Sequence, residues 1–279
     1  MARAADFAYF DHDGPIALAH RGGTLLAANA GIENSLRAFR NALDLGFRYL
    51  ETDVHVTADG QVIAFHDPHL DRVTDATGAV ADLPYAAIAE ARIGGTEPIP
   101  TLDALLEDLP DAQLNIDIKS IAALEPTLDI LRRHNALDRV CIASFSDQRI
   151  RAARRLLQGA AATSAGQREI GLLRLSPGFV ARRLRSGAAA LQIPARHRIR
   201  GRTIPIATPA LVDVAHRLGK HVHVWFHGWD EESPEELHRL LDLGVDGIVS
   251  DRIDVLAAVL AERGHPLPRS LPDEPAEPN

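Results

Sequence analysis

The chain has 279 residues, of which 46% are hydrophobic and 24% charged, and its formal charge is −8. That composition is that of a globular domain, and the acidity argues against a general nucleic-acid binder. It leaves an anionic small-molecule substrate open, because local charge decides that.

No uninterrupted apolar run approaches the ~20 residues that span a bilayer. The first six residues lack the apolar core of a signal peptide. A single cysteine, Cys141, sits in the apolar run Val140-Cys141-Ile142-Ala143, so no internal disulfide is expected. A reducing cytoplasm is the expected location. Three regions are expected: an arm over 1–15, one domain over 16–264, and an acidic Pro-rich flexible tail over 265–279.

The first strand, 16–19, runs into His20-Arg21-Gly22-Gly23. This places a titratable ring and a fixed cation at a strand's C-terminal end, the catalytic end in barrel folds. Alone, it reads equally as a turn with incidental polar residues. A loop leads to Glu33-Asn34-Ser35 and a helix with Leu36, Phe39, Leu43 and Leu45 on its apolar face. Asn34 or Ser35 is the expected N-cap, and Gly46 the stop. Glu33 also suits the positive end of that helix.

Next comes Tyr49-Leu50-Glu51-Thr52-Asp53-Val54-His55-Val56, the turn Ala58-Asp59-Gly60, and a return arm ending in His66-Asp67. Alternation puts Glu51 and Asp53 on one face, and folding about Asp59 returns His66 beside Asp53. Two carboxylates and an imidazole then share one volume, suited to a divalent cation with an acid/base group beside it. An exposed strand face with ordinary polar residues is the plainer reading. Residues 67–112 read as a loop and two short helices near 85–91 and 102–109, with no evident chemistry.

In Gln113-Leu114-Asn115-Ile116-Asp117-Ile118-Lys119, alternation sets Asn115, Asp117 and Lys119 on one face. An inward Asp and Lys form either a structural ion pair or part of a site. The pattern is then regular. Helices are expected at 121–134, 147–157, 177–185, 209–218, 234–243 and 253–263, and strands at 140–145, 160–164, 189–194, 221–226 and 247–250. Together with 16–19, 48–54 and 113–118 this makes eight parallel strands. The expected fold is a TIM (β/α)8 barrel with a β-hairpin excursion, 62–66, after strand two.

The chemical candidates fall at strand C-terminal ends: His20 and Arg21, Glu51 and Asp53, Asp117 and Lys119, Trp225, and Asp251. Three carboxylates without a sulfur cluster point to a hard cation, Mg²⁺ or Ca²⁺. Two histidines suit a general acid and base, and Arg21 and Lys119 suit a phosphate. Together they describe phosphoryl-ester cleavage.

Ala19-His20-Arg21-Gly22, Glu33-Asn34-Ser35, Glu51-Thr52-Asp53-Val54, Thr57-Ala58-Asp59-Gly60 and His66-Asp67 resemble, in order and spacing, the glycerophosphodiester phosphodiesterase family. Ile116-Asp117-Ile118-Lys119, Ser144-Phe145, Val224-Trp225 and Gly247-Ile248-Val249-Ser250-Asp251 continue the resemblance over roughly 16–260. It implies a TIM barrel that hydrolyses glycerophosphodiesters to glycerol 3-phosphate and an alcohol with a divalent cation. It further implies Glu51, Asp53 and Asp117 as metal ligands and His20 and His66 as the acid/base pair. Arg21 and Lys119 would bind the phosphate, Glu33 would support Arg21 or the metal, and Trp225 would wall the glycerol. The implied path is attack by the glycerol hydroxyl, one histidine accepting its proton and the other protonating the leaving alcohol, before water opens the cyclic phosphate.

Three positions depart from the family pattern: Asp117 stands for the usual Glu, Ile32 for Pro, and Phe226-His227 for Thr-Asn. The last pair puts an aromatic ring and an imidazole near the glycerol or alcohol end, which implies altered substrate choice. A related lipase acting on lysophospholipid or sphingolipid with phospholipase D-type products is an alternative, and an exposed apolar rim at the barrel mouth would favour it. A non-catalytic binder of glycerophosphodiesters is another, opposed by the paired histidines.

His55 continues the Glu51/Asp53 face, either supporting the site or making a plain polar contact. His221 and His223 flank strand seven, His223 placed to face inward with Trp225, while His12, His69, His134, His197, His216, His238 and His265 read as surface or loop residues and Trp229 as loop packing. Arg182, Arg183, Arg185, Arg196, Arg198, Arg200 and Arg202 make a basic region, either a solvated face or a peripheral docking patch for anionic head groups.

Overall fold

The computed structural model describes residues 2–175, 186–199, 201–227 and 232–268. Eight parallel strands form a TIM (β/α)8 barrel: β1 (Ile16–His20), β2 (Tyr49–Val56), β6 (Gln113–Ile118), β7 (Val140–Ala143), β8 (Ala162–Thr163), β9 (Ala190–Pro194), β12 (His221–Trp225) and β13 (Gly247–Ser250). Their order is β8-β7-β6-β2-β1-β13-β12-β9. A parallel bridge between Ser164 and Ala190 brings the two ends together. The excursion strand β3 (Val62–Ala64) pairs antiparallel with the far end of β2, Val54 opposite Ala64 and Val56 opposite Val62.

These strands form because their residues are apolar on both sides. Along β1 alternate side chains divide between two cores. Ala17 and Ala19 face the outer layer, while Ile16 and Leu18 face the barrel interior. That period-two division is the signature of a strand covered on both faces. The outer layer packs the strands against α1 (Leu36–Asp44), α3 (Leu102–Asp108), α4 (Leu124–Arg133), α5 (Asp147–Leu157), α7 (Pro209–Arg217), α8 (Pro234–Asp242) and α9 (Ile253–Glu262). Ser35, Thr101, Ser146, Thr208 and Ser233 cap five of these helices, each side chain accepting a backbone N–H two or three residues into the helix. Each cap contributes about 1 kcal/mol.

On α1 the buried residues are Ala38, Phe39 and Ala42, while Leu45, expected on the apolar face, lies beyond the helix and is exposed. Gly22, at φ +91°, follows β1, and a Cβ there would come within 2.8 Å of Ala38 Cβ, so glycine lets α1 press against the loop that carries Arg21.

The N-terminal residues fold under the barrel. Tyr9 and Phe10 are buried among Ile16, Leu18, Tyr49 and Cys141, at the N-terminal ends of the strands. A third core holds the segment between β3 and α3, around Ile63, Phe65, Leu70, Val80 and Ile93. It includes the short helix α2 (Tyr85–Ile88) and the ribbon of β4 (Arg92–Ile93) with β5 (Glu97–Pro98).

Two features of the opposite rim lie outside the sequence expectations. Helix α6 (Gln167–Leu175) follows β8, and an antiparallel hairpin, β10 (Arg196–Ile199) with β11 (Arg202–Pro205), follows β9. The helix expected at 177–185 lies outside the described residues, as do Arg182, Arg183, Arg185, Arg200, Trp229 and the tail from 269. Among the described residues no helix is long and apolar enough to cross a membrane.

Candidate active site

Strand register builds the site. In the barrel His20 is the parallel partner of Glu51, Glu51 of Asn115, and Asp53 of Asp117. Because adjacent partners point the same way, five polar side chains at the C-terminal ends of β1, β2 and β6 must share the barrel mouth. They line a cavity of about 1050 Å³ together with Arg21, His66, Lys119 and Trp225. Eight of the nine residues singled out from the sequence therefore line one cavity. The ninth, Glu33, stands beside it and accepts a hydrogen bond from Arg21 Nη1 at 3.1 Å.

The crowded carboxylates are held by cations. Lys119 Nζ lies 2.6 Å from Asp53 Oδ1 and 2.8 Å from Asp117 Oδ2. Arg21 Nε stands 3.2 Å from Asp53 Oδ2, an ion pair angled too poorly for a hydrogen bond. Arg21 reaches it from a left-handed backbone, φ 51°, with its N–H donating to the Glu51 carbonyl at 3.0 Å. Burial works to raise Asp53, but Lys119 and Arg21 hold its carboxyl below the usual range. Burial dominates at Glu51 and, with Asp53 adding repulsion, pushes it to about 7. Asp117 is raised by burial, which Lys119 only partly offsets.

Each histidine of the pair has a carboxylate on Nδ1. His20 Nδ1 lies 3.0 Å from Asp251 Oδ1, which also accepts a 2.6 Å bond from the Thr24 hydroxyl. His20 Nε2 faces Glu51 at 3.8 Å. Burial disfavours the imidazolium, but Asp251 and then Glu51 outweigh it and lift His20 to about 9. His66 Nδ1 lies 2.6 Å from Asp67 Oδ1. Burial lowers His66, the Asp53 and Asp67 charges compensating only in part. His55 donates from Nε2 to the His66 carbonyl at 3.0 Å, so it supports the site rather than facing solvent.

Other groups were not assigned from sequence. Asn34, at φ 60°, donates to Asp53 at 3.4 Å and accepts from the Thr52 hydroxyl at 2.8 Å. Ser35, not Asn34, is the helix cap. Gln192 donates across the barrel to Asn115 at 2.6 Å and so lays a polar floor beneath the carboxylates. Glu232, buried and pushed to about 7 by that burial, accepts from Ser250 Oγ and from the backbone N–H groups of Asp251 and Arg252. It fixes the backbone that carries the Asp251 carboxylate to His20. Residues 67–112, which carry no evident chemistry in sequence, supply Arg72, whose guanidinium bonds both Glu33 and Asp67. A lone arginine in a loop gives no sequence signal.

The donor set is consistent with a hard cation. Asp117 Oδ1 is buried without a hydrogen-bond partner among the described residues, and the three carboxylates offer only oxygen. As the side chains stand, Lys119 takes the place between Asp53 and Asp117. Among the described residues no three His, Cys, Asp or Glu side chains are grouped to hold a metal.

The outer cavity wall is different. Trp225 stacks edge-on against Phe145, with centroids 5.7 Å apart, and against His227 at 4.4 Å. His227 Nε2 lies 3.1 Å from His197 Nδ1 on β10. Phe226 is buried in the outer core and also borders the cavity. Arg196 pairs with Glu236, while Arg198 and Arg202 are exposed on the hairpin.

Comparison with known proteins agrees with this geometry. Residues 20–255 match the model of the glycerophosphoryl diester phosphodiesterase family. The chain is 42% identical over 265 residues to the protein named probable glycerophosphodiester phosphodiesterase 2 of Mycobacterium tuberculosis, covering 92% of this chain and 94% of that one. It is 29% identical over 267 residues to a glycerophosphodiester phosphodiesterase of Caldanaerobacter subterraneus, covering 89% and 99%. In fold it resembles a phosphodiesterase of Oleispira antarctica solved with the product sn-glycerol-3-phosphate, with a TM-score of 0.71, 21% identity, and coverage of 89% and 97%.

Proposed function

The chain belongs to the glycerophosphoryl diester phosphodiesterase family, and on that premise we propose that it hydrolyses glycerophosphodiesters to sn-glycerol 3-phosphate and an alcohol with a divalent cation, Mg²⁺ or Ca²⁺. The observation that carries this reading is the pair of imidazoles, each backed by a carboxylate on Nδ1, lining one cavity with Arg21 and Lys119. Glu51, Asp53 and Asp117 are the residues to hold the cation. When bound there, a divalent cation supplies positive charge to the phosphoryl oxygens.

The chain's own groups do the rest. Arg21 and Lys119 orient the phosphate from two sides. One histidine takes the proton of the attacking glycerol hydroxyl through Nε2 as the new P–O bond forms, and the other protonates the departing alcohol oxygen as its P–O bond breaks. Water then opens the cyclic phosphate with the roles reversed. Trp225 bounds the glycerol.

A glycerol 3-phosphate-coupled assay on glycerophosphocholine tests the reading, with Mg²⁺, Ca²⁺ or EDTA and with His20→Ala. Metal-dependent product from the wild type and none from the variant is expected. Turnover untouched by EDTA, or by loss of His20, would rule it out.

One observation favours a second substrate, a single-chain lysophospholipid. Phe145, Leu172 and Leu175 are 50%, 54% and 83% exposed. Phe145 and Leu175 line the cavity with Ile204 and Ile206 and so form an apolar rim. Release of choline from lysophosphatidylcholine, weakened by Leu175→Glu, tests this; equal rates in both proteins would dismiss it.

A further inference from the structure

Arg72 lies outside the cavity, at the end of the 3-10 turn Leu70–Arg72. Its base is rigid: Leu70 is buried in the third core, and Thr74 donates to the Leu70 carbonyl through its hydroxyl at 2.8 Å. Its guanidinium makes four hydrogen bonds to two carboxylates. Nη1 and Nη2 donate to Glu33 Oε2 and Oε1 at 3.0 and 2.7 Å, and Nη2 and Nε donate to Asp67 Oδ1 and Oδ2, the former at 3.1 Å. Each carboxylate then takes one further partner, Arg21 at Glu33 and His66 at Asp67.

We propose that Arg72 is a positioning residue that holds Asp67 onto His66 and Glu33 onto Arg21 at once, so that one side chain outside the cavity sets both proton transfer and phosphate binding. The inference rests on the hydrolytic reading above. Asp67 fixed by two guanidinium donors must receive the Nδ1–H of His66, which leaves the lone pair on Nε2, toward the substrate. The Glu33 charge, divided between two guanidiniums, leaves Arg21 free positive charge for a phosphate. Without Arg72 that charge falls on Arg21 alone and pulls it sideways. The planar fork matters, because a lysine ammonium cannot meet two carboxylates in paired fashion. Arg72 is itself 48% exposed and covers Glu33 and Asp67, 14% and 20% exposed, from solvent.

A loop clasp with no part in the reaction would make the same bonds, so the test must separate the two. In Arg72→Ala, kcat on glycerophosphocholine should fall about 10–100-fold, the usual effect of removing a partner behind a reacting group. KM should rise a few-fold through Arg21, and added guanidinium chloride at low millimolar concentration should restore part of kcat. Arg72→Lys, which keeps charge and stem, should stay folded and remain slow. Imidazole ¹⁵N shifts, read without substrate, should place the proton of His66 on Nδ1 in the wild type and on both nitrogens in either variant. Wild-type kcat in Arg72→Lys, or a slow variant with an unchanged His66 tautomer, overturns the proposal. His66→Ala at wild-type speed would instead overturn the hydrolytic reading, and the nitrogen shifts would still report on the clasp.

Discussion

The two ends of the barrel bury titratable groups in opposite ways. At the C-terminal end every buried ionisable group described above has a charged or hydrogen-bonding partner: His20 has Asp251, His66 has Asp67, and Lys119 has Asp53 and Asp117. At the N-terminal end they are left among rings. Both ring nitrogens of His223 and the Tyr9 hydroxyl are buried without hydrogen-bond partners among the described residues, and Phe10 packs on His221 and His223 with centroids 4.7 and 5.8 Å away. Among the described residues Lys220, 1% exposed, donates to carbonyls alone, those of Ala2, Ser186 and Ala188. Paired groups keep charge available for chemistry. Groups without a charged partner have their charged forms disfavoured by burial and cost stability wherever the pH charges them.

The largest effect that would break this contrast is at the paired end. His20→Ala or His66→Ala should cut kcat by about 10²–10⁴-fold while leaving the thermal midpoint within a few degrees, read by coupled assay and calorimetry. A stability loss as large as the activity loss would place both histidines with the structural groups. At the unpaired end, Tyr9→Ala should cost about 3–5 kcal/mol in urea unfolding, since the ring fills the barrel base. Tyr9→Phe should cost nothing or stabilise by about 1 kcal/mol, because it removes only an unpartnered hydroxyl.

His223 sharpens the comparison through pH. Burial pushes it down to about 3 from an ordinary value of 6.5. Between those values the unfolded chain binds a proton that the folded chain refuses, so stability falls as pH drops through that window and is unaffected above it. His223→Leu should flatten that acid limb by a few kcal/mol without changing kcat. Lys220, pushed by burial to about 8 from 10.5, has the smaller pH effect of the two. Its penalty is complete below pH 8 and fades as pH rises to about 10.5, so stability should climb there by at most about 1.4 kcal/mol per pH unit. A flat urea midpoint over that range would place the ammonium in a better-solvated setting.

Much of the paired end was legible, because charged residues at period-two positions in apolar strands have no bland place to go. Glu51, Asp53, Asp117 and Lys119 were found that way, and the turn at Asp59 returned His66. What was not legible depends on contacts between distant segments. Arg72 and Glu33 are 39 residues apart, and nothing local in either predicts the other. The hairpin Arg196–Ile199 with Arg202–Pro205 alternates cations with other residues, and its charge hid its strand pattern. Helix α6 carries Ile170, Leu172, Leu173 and Leu175 without a single apolar face, and only Leu173 is buried. The folded-under N-terminal segment reads as an arm, because Tyr9 and Phe10 acquire an interior only once the barrel exists.

That closed base has a kinetic consequence. With Tyr9 and Phe10 packed beneath the strands, the base of the barrel is filled, and the cavity lined by the catalytic candidates lies at the other end. On the hydrolytic reading proposed above, glycerol 3-phosphate left in that cavity would occupy the place the incoming diester needs. Product inhibition should then be competitive with the diester.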